Sequence, residues 1–174
     1  MNRTLYRWLA GGGLLLVLGA VNVAVWQREQ LLEHGTTVML ELAPVDPRSL
    51  MQGDYMALRF ALAQKLLPPG DGRAIATDGY AVVQRDDRQV GSYLRPYRDG
   101  EALAANESRI RYRLRDRDVR IVTNAWFFKE GSGDVFAAAR YGELRVAANG
   151  DALLTGMRDK DLKLLVAKDQ KTKP

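Results

Sequence analysis

The chain of 174 residues carries a formal net charge of +5 at pH 7, with 47% hydrophobic and 27% charged residues. This composition argues against disorder and against a polytopic membrane protein, and the length allows one domain plus an anchor. The absence of cysteine excludes disulfides, thiolate metal sites and cysteine nucleophiles, and the single histidine, His34, leaves little for metal or Ser-His chemistry. We therefore expect no metal or other cofactor, and the positive charge suits an anionic partner, either lipid headgroups or nucleic acid.

The first element is an uncharged apolar run over residues 9–26, LAGGGLLLVLGAVNVAVW. Its length is close to the minimum of about 17 residues that crosses a hydrocarbon core of about 30 Å. Arg3 and Arg7 precede it, which predicts that residues 1–8 stay in the cytoplasm of a bacterial cell. The alternative is a cleaved signal peptide, but the run ends in the bulky pair Val25-Trp26, so we predict an uncleaved single-pass signal anchor in the inner (cytoplasmic) membrane. Nucleic acid is then not an expected partner.

A polar stalk over residues 27–36 is predicted to continue the helix until Gly35 ends it. Beyond the stalk, short runs rich in valine, isoleucine and aromatic residues alternate with turn residues, as strands do. Residues 37–167 are therefore predicted to form a mainly β domain in the periplasm, small and antiparallel with one short helix. A basic, solvated tail over residues 168–174 follows. Strands are predicted over 38–42, 55–62, 80–85, 89–93, 110–114, 119–128, 143–147 and 152–154, and a loop over 66–77.

Turn residues and helix formers mark two hairpins and the short helix. Asp86-Asp87 predicts a tight hairpin, and Asn149-Gly150 predicts a second one that closes the domain. The alanine-rich stretch 134–141 predicts the helix, with Ser132 or Asp134 as its cap and Gly142 at its end.

One predicted strand has an apolar face and an arginine face. Ile110, Tyr112 and Leu114 alternate with Arg111, Arg113 and Arg115, and Asp116-Arg117-Asp118 is predicted to turn into the next strand. One interpretation makes the arginines a docking strip for anionic lipid headgroups or an acidic partner. The other, which we prefer from the sequence, is a solvated face whose charges also prevent edge-to-edge pairing.

The segment Gly53-Asp54-Tyr55-Met56-Ala57-Leu58-Arg59-Phe60 resembles the signature of the GDYXXLXY family, with Phe60 in place of the final tyrosine. Further similarity lies in residues 44–48, 127–133 and 142–150. The resemblance implies a membrane-anchored family of uncharacterised function, often encoded beside polytopic membrane proteins. It supplies no catalytic residues. The motif residues that it marks for a possible interaction are Asp46, Pro47, Arg48, Gly53, Asp54, Tyr55, Leu58, Phe60, Glu130, Gly131 and Gly133.

The signature also has a physical interpretation as scaffold. Met56, Leu58 and Phe60 share one face of an ideal strand, which we predict to be core, and Tyr55 falls on the other. Gly53 and Asp54 suit a connection that re-enters a strand. This interpretation is preferred over a binding or catalytic role for Asp54 and Tyr55, although residues in loops often carry function.

A membrane-bound hydrolase is the alternative class. Residues 49–54 resemble part of the type I signal peptidase motif, but Val45 occupies the nucleophile position, which leaves Ser49 with Lys65 or Lys129. A carboxylate mechanism would draw on turn residues that are usually solvated or capping. The leading prediction is a non-enzymatic, membrane-tethered accessory domain that acts with a polytopic inner-membrane protein. The carboxylate alternative involves Asp54, Glu130, Asp134 and Glu143, with Arg140 and Tyr141.

Overall fold

The computed structural model describes residues 3–43, 51–52, 55–67, 76–116 and 118–167. The chain divides into two compact units, Met1–Gly35 and Thr36–Pro174. The first unit holds helix α1, and the second is mainly β, as the sequence predicts. The helices are α1 Arg3–His34, α2 Ala61–Leu66 and α3 Gly133–Phe136. The strands are β1 Thr36–Glu41, β2 Met51–Gln52, β3 Tyr55–Ala57, β4 Asp78–Arg85, β5 Gly91–Pro96, β6 Glu107–Arg115, β7 Asp118–Ile121, β8 Ala125–Phe127, β9 Tyr141–Val146 and β10 Ala152–Arg158.

Helix α1 runs through the predicted anchor and on through the predicted stalk to His34, and the last stalk residue, Thr36, already begins β1. Its segment Gly11–His34 is long and apolar enough, by length and composition, to cross a membrane. Asn22 is the most polar residue of the apolar run. Its side chain donates a hydrogen bond to the Leu18 carbonyl at 2.8 Å. The amide is therefore partly satisfied within the helix, which lowers the cost of placing it in a hydrocarbon environment.

Three antiparallel sheets build the second unit. Their strand orders are β1-β9-β10, β2-β3-β8 and β5-β4-β6-β7. The first and third sheets share the main core, which includes Val38, Leu40, Val83, Ile110 and Leu144, each at most 1% exposed. The second sheet covers a smaller apolar cluster that contains Met56 and Leu58. Burial of apolar surface in these two clusters contributes about 25 cal/mol per Å² and is the main force that holds the sheets together.

Strand β6 confirms the predicted alternation. Ile110 and Tyr112 are buried in the main core, and Leu114 packs against it. The intervening Arg111, Arg113 and Arg115 lie on the opposite face of the same strand. The sheet is thus two-sided, with one apolar face and one cationic face.

The predicted strand over residues 55–62 is wrong beyond Ala57. The chain leaves β3 there and forms helix α2 from Ala61, so that Leu62 and Leu66, four residues apart, are both buried. The sequence Ala-Leu-Ala-Gln-Lys-Leu consists of strong helix formers, which outweigh the strand pattern of the preceding residues. The loop predicted over 66–77 overlaps the end of this helix, and residues 68–75 lie outside the described part of the chain.

The predicted strand over residues 119–128 is two strands in different sheets. Val122 has a φ of 57°, and this left-handed residue redirects the chain from β7 to β8. The short helix is also shorter than predicted, because α3 ends at Phe136 and β9 begins at Tyr141. Gly142 therefore lies within a strand and ends no helix. Its lack of a side chain makes room for the ring of Phe60.

Both predicted hairpins are present. The turn after β4 is longer than a two-residue turn, since Asp86 accepts hydrogen bonds from the amides of Arg88 and Val90 and Gln89 has a φ of 64°. The turn between β9 and β10 holds Gly150 at a φ of 91°, a conformation that glycine adopts without strain. Residues 168–174, the predicted basic tail, lie outside the described residues.

Candidate functional site

The signature forms the middle strand of the second sheet. Tyr55, Met56 and Ala57 on β3 pair with Phe127, Trp126 and Ala125 on β8 in antiparallel register. On its other side, β3 pairs with β2. The sheet thus brings Tyr55–Ala57 of the signature beside Phe127, the first residue of the segment 127–133, which resembles the same family but is far away in sequence. Nothing in the sequence pattern alone indicates this pairing.

The inner face of the signature is core, as predicted. Met56, Leu58 and Phe60 are 4%, 5% and 3% exposed. Phe60 lies in the main core, whereas Met56 and Leu58 belong to a second cluster with Phe136, Ala139 and Met157. Complete burial of each of these side chains stabilises the fold by about 1.5 to 3 kcal/mol. The signature therefore bridges the two cores.

Aromatic rings in and beside the segment 127–133 complete the second cluster. The ring of Phe136 stacks on Phe128 at a centroid distance of 5.1 Å and meets Trp126 edge-on at 6.0 Å. Such pairs contribute about 0.5 to 1.5 kcal/mol beyond their burial. Trp126 also keeps a buried indole N–H without a hydrogen-bond acceptor in the described structure.

The outer face of the signature presents two aromatic rings. Tyr55 is half-buried and its ring lies 5.8 Å from that of Phe127, centroid to centroid. Phe127 is 74% exposed, the highest value among the large apolar residues whose exposure is described. It lies on β8, one of the two outer strands of the sheet as described. A contiguous exposed apolar patch can mark a binding surface, and an outer strand offers its main-chain groups to another chain.

The turn that follows β8 contains three of the predicted motif residues. Glu130 and Gly131 are exposed, and Gly131 has a φ of 77° with open space around it. Gly133 begins α3. Between the glycines, Ser132 is fully buried; its amide donates to the Lys129 carbonyl at 3.1 Å, and its carbonyl accepts from Val135 at 3.1 Å. The sequence predicts this serine only as a candidate helix cap, and its small size between two glycines is the signal that indicates a tight turn.

The remaining motif residues lie outside the described part of the chain. Their predicted role in an interaction stays a prediction. They are Asp46, Pro47, Arg48, Gly53 and Asp54.

A cleft of about 130 Å³ opens beside the signature, between its end, α2, β7 and the residues after β7. Two backbone hydrogen bonds connect the segments that line the cleft. The Leu58 amide donates to the Asn124 carbonyl at 2.8 Å, and the Ala43 amide donates to the Arg59 carbonyl at 2.7 Å. The buried lining is apolar. Exposed polar side chains form the rim, namely Arg59, Gln64, Asp118, Arg120 and Asn124.

The side chains considered for hydrolytic chemistry have other surroundings. Lys65 and Lys129 are exposed, whereas a Ser-Lys mechanism needs a desolvated amine. Glu143 accepts a hydrogen bond from Arg158 at 2.6 Å, and Asp134 accepts one from the Val135 amide at 3.0 Å. Glu130 and Arg140 are exposed. Within the described residues, no group of three or more His, Asp or Glu side chains is arranged to hold a metal ion.

The clearest shifts in ionisation occur away from the signature, around Arg95. This guanidinium forms ion pairs with Glu101 and Glu107, and its pKa is raised by those two hydrogen-bonded carboxylates. The pKa of Glu101 is lowered first by a hydrogen bond from the Arg98 amide and then by Arg95. The pKa of Glu107 is lowered first by Arg95 and then by the Ala104 amide. This network fixes the connection between β5 and β6, so its role is structural.

These features define a mainly β domain that follows a helix able, by length and composition, to cross a membrane. Comparison of the sequence with known protein families assigns the chain to one family. The chain belongs to the GDYXXLXY family, whose description is "GDYXXLXY protein" and whose sequence model matches residues 17–157. The function of this family is unknown.

A 37-residue segment is 57% identical to part of the "UV radiation resistance-associated gene protein" of Drosophila melanogaster. The matched segment covers 21% of this chain and 5% of that protein, so this chain spans a small fraction of its relative's length. No solved structure is significantly similar to the chain. The family assignment therefore rests on the signature and the sequence around it.

Proposed function

We propose that this protein is a membrane-tethered accessory domain that binds a polytopic protein of the same inner membrane on its periplasmic side. The N-terminal helix supports the tether, since its segment Gly11–His34 is long and apolar enough to span the bilayer. Arg3 and Arg7 before the apolar run of residues 9–26 favour a cytoplasmic start, whereas Glu29 and Glu33 follow that run. In this orientation the β domain lies beside the periplasmic loops of neighbouring membrane proteins.

The observation that carries the proposal is the exposure of Phe127 on the outer strand β8. Leaving a ring of this size in water forgoes about 1.5 to 3 kcal/mol of burial energy, which a partner would recover. The ring does not stand alone, because Tyr55 lies 5.8 Å away on the paired strand. Together they offer an aromatic surface of defined geometry.

The occupant that fits this surface is an extended segment from a periplasmic loop of the partner. Such a segment adds to a sheet by main-chain pairing along the edge and is selected by the side chains that it places in neighbouring pockets. Here β8 supplies the edge, and the rings of Tyr55 and Phe127 supply the contact for an apolar side chain. The tether keeps the two proteins in one membrane, so a modest intrinsic affinity suffices.

Site-specific photocrosslinking in membranes of the source cells tests the proposal. A photoreactive phenylalanine analogue at position 127 should form a covalent adduct with one polytopic membrane protein. The matched control places the analogue at Leu94, which is 43% exposed on β5, an outer strand of another sheet. We expect no adduct from position 94, and loss of the position-127 adduct when Tyr55→Ala is also present.

Two results would reject the proposal. One is an equal yield of the same adduct from positions 127 and 94, which would indicate random proximity in the membrane. The other is an adduct at position 127 that contains only soluble proteins. A melting temperature unchanged by Tyr55→Ala is required as a control for folding.

A further inference from the structure

The cleft beside the signature has a cationic rim whose charges are not neutralised by any residue in the part of the chain that the structure describes. Arg59 and Arg120 both line it, and both side chains are exposed. Among the described residues, neither guanidinium forms an ion pair or a side-chain hydrogen bond. Asp118 is the carboxylate among the described lining residues, and it forms no ion pair with another described residue. The described rim thus carries two positive charges and one negative charge.

The sheet next to the cleft adds to the positive potential. Arg120 on β7 is directly opposite Arg113 on β6 in the antiparallel register. Like charges at opposed positions destabilise a sheet. The carboxylate that reaches Arg113, Asp78 at 3.8 Å, also pairs with Arg115 at 3.6 Å. A single half-exposed carboxylate therefore serves two guanidiniums, and none of the described carboxylates forms an ion pair with Arg120.

The shape of the cleft restricts that anion. A volume of about 130 Å³ approaches the engineered cavity of about 150 Å³ that accommodates benzene, so the cleft has room for a small headgroup and not for a folded partner. Its buried wall is apolar, with Leu58, Phe60 and Ile121. Arg59 and Arg120, two exposed lining residues, suit a phosphate, because planar guanidinium groups bind its oxygens through paired hydrogen bonds.

We propose that this cleft binds the phosphate headgroup of an anionic phospholipid, with Arg59 and Arg120 as its ligands. Two features favour lipid over free phosphate. The wall below the rim is apolar and suits the glycerol and first methylenes of a lipid, and α1 of the same chain is long and apolar enough to lie in a bilayer. Each arginine near an anionic membrane surface strengthens binding about fivefold, so two contribute about thirtyfold. This inference does not depend on which protein crosslinks to position 127.

The test uses the full-length chain in a neutral detergent. Because the sequence contains no cysteine, Gln64→Cys on α2 at the rim allows a single fluorescent label to be attached beside the cleft. The labelled protein is titrated with short-chain phosphatidylglycerol, with short-chain phosphatidylcholine and with inorganic phosphate. We expect saturable binding of phosphatidylglycerol, with inorganic phosphate and phosphatidylcholine each at least about fivefold weaker.

Matched charge variants assign the binding to the cleft. The double variant Arg59→Gln, Arg120→Gln should weaken phosphatidylglycerol about thirtyfold, and each single variant about fivefold. The control Arg88→Gln, Arg98→Gln removes the same charge from exposed arginines that do not line the cleft, and it should leave affinity unchanged. Equal weakening in both double variants, or none in either, would overturn the proposal. Inorganic phosphate that binds as tightly as the lipid would overturn the choice of lipid.

Discussion

Gly150, in the turn between β9 and β10, lies against the ring of Tyr80 on β4. A Cβ at Gly150 would approach two carbons of that ring to 2.7 Å. The Gly150 carbonyl also accepts a hydrogen bond from the Arg111 amide at 2.9 Å, and the Arg109 guanidinium covers the Tyr80 ring at 5.4 Å. These contacts fasten the β9-β10 turn to the four-stranded sheet. Two sheets that share a core are thereby also joined at their surface.

Substitution of this glycine should destabilise the domain for two separable reasons. Gly150→Ala forces an L-residue to a φ of 91° and inserts a methyl group into Tyr80, with an expected loss of about 2 to 3 kcal/mol. Gly100→Ala is the matched control, because Gly100 has a φ of 81° with nothing within 4 Å, and it should cost about 1 kcal/mol. Denaturant unfolding of the detergent-solubilised chain measures both. Equal losses would mean that the contact with Tyr80 carries no energy.

The contact between Gly142 and Phe60 should appear as thermodynamic coupling. A Cβ at Gly142 would lie 2.9 Å from the Phe60 ring and 3.0 Å from the Leu154 side chain. Gly142→Ala should therefore cost about 1 to 3 kcal/mol through overpacking. Phe60→Leu removes ring atoms at that position and should itself cost about 1 kcal/mol.

The double variant Gly142→Ala, Phe60→Leu decides whether the two residues interact. Since the smaller side chain at position 60 leaves space for the new methyl group, the combined loss should be at least about 0.5 kcal/mol smaller than the sum of the single losses. Equilibrium unfolding of all four proteins in one detergent provides the comparison. If the two losses were strictly additive, the methyl group introduced at position 142 would not be strained against the Phe60 ring.

Two ion pairs of different burial should differ in their contribution to stability. Glu143 and Arg158 are 2.6 Å apart with side chains 14% and 24% exposed, and Arg158 also donates to the Leu162 carbonyl at 2.6 Å. Glu143→Gln should cost about 1.5 to 3 kcal/mol, as charged hydrogen bonds do. Asp78→Asn, at a surface pair that is 45% to 57% exposed, should cost less than about 0.5 kcal/mol. Similar melting-temperature shifts for the two variants would contradict this order.

Stability should fall in acid because of the carboxylates around Arg95. The pKa of Glu107 is lowered from its ordinary 4.5 by hydrogen bonds from Arg95 and the Ala104 amide, so the unfolded chain binds this proton more readily than the folded chain. The contribution of Glu107 is complete above pH 4.5 and is lost as the pH falls through its lower folded value. Unfolding midpoints between pH 7 and pH 3 should decline less steeply in Glu107→Gln. If the unfolding midpoint declined equally with pH in both proteins, Glu107 would not contribute to the loss of stability in acid.

The strands that the sequence predicted well are those with a clean local pattern. Ile110 and Tyr112 alternate with arginines, which is enough to define both faces of β6 before any partner strand is known. The prediction failed where two local preferences compete. After Ala57, strand-like signature residues run into the helix formers of α2, and at Val122 a left-handed backbone conformation divides one apolar run between two sheets.

The sequence by itself determined the apolar helix, the mainly β class, the core face of the signature and the family. Each of these follows from composition, periodicity or a contiguous motif, which are local properties of the chain. Only the tertiary structure placed Phe127 beside Tyr55 and Arg120 opposite Arg113. Strand pairing and register depend on how all the apolar faces pack together, and residues separated by many positions meet only once that packing is complete. Both surfaces proposed for function are of this second kind.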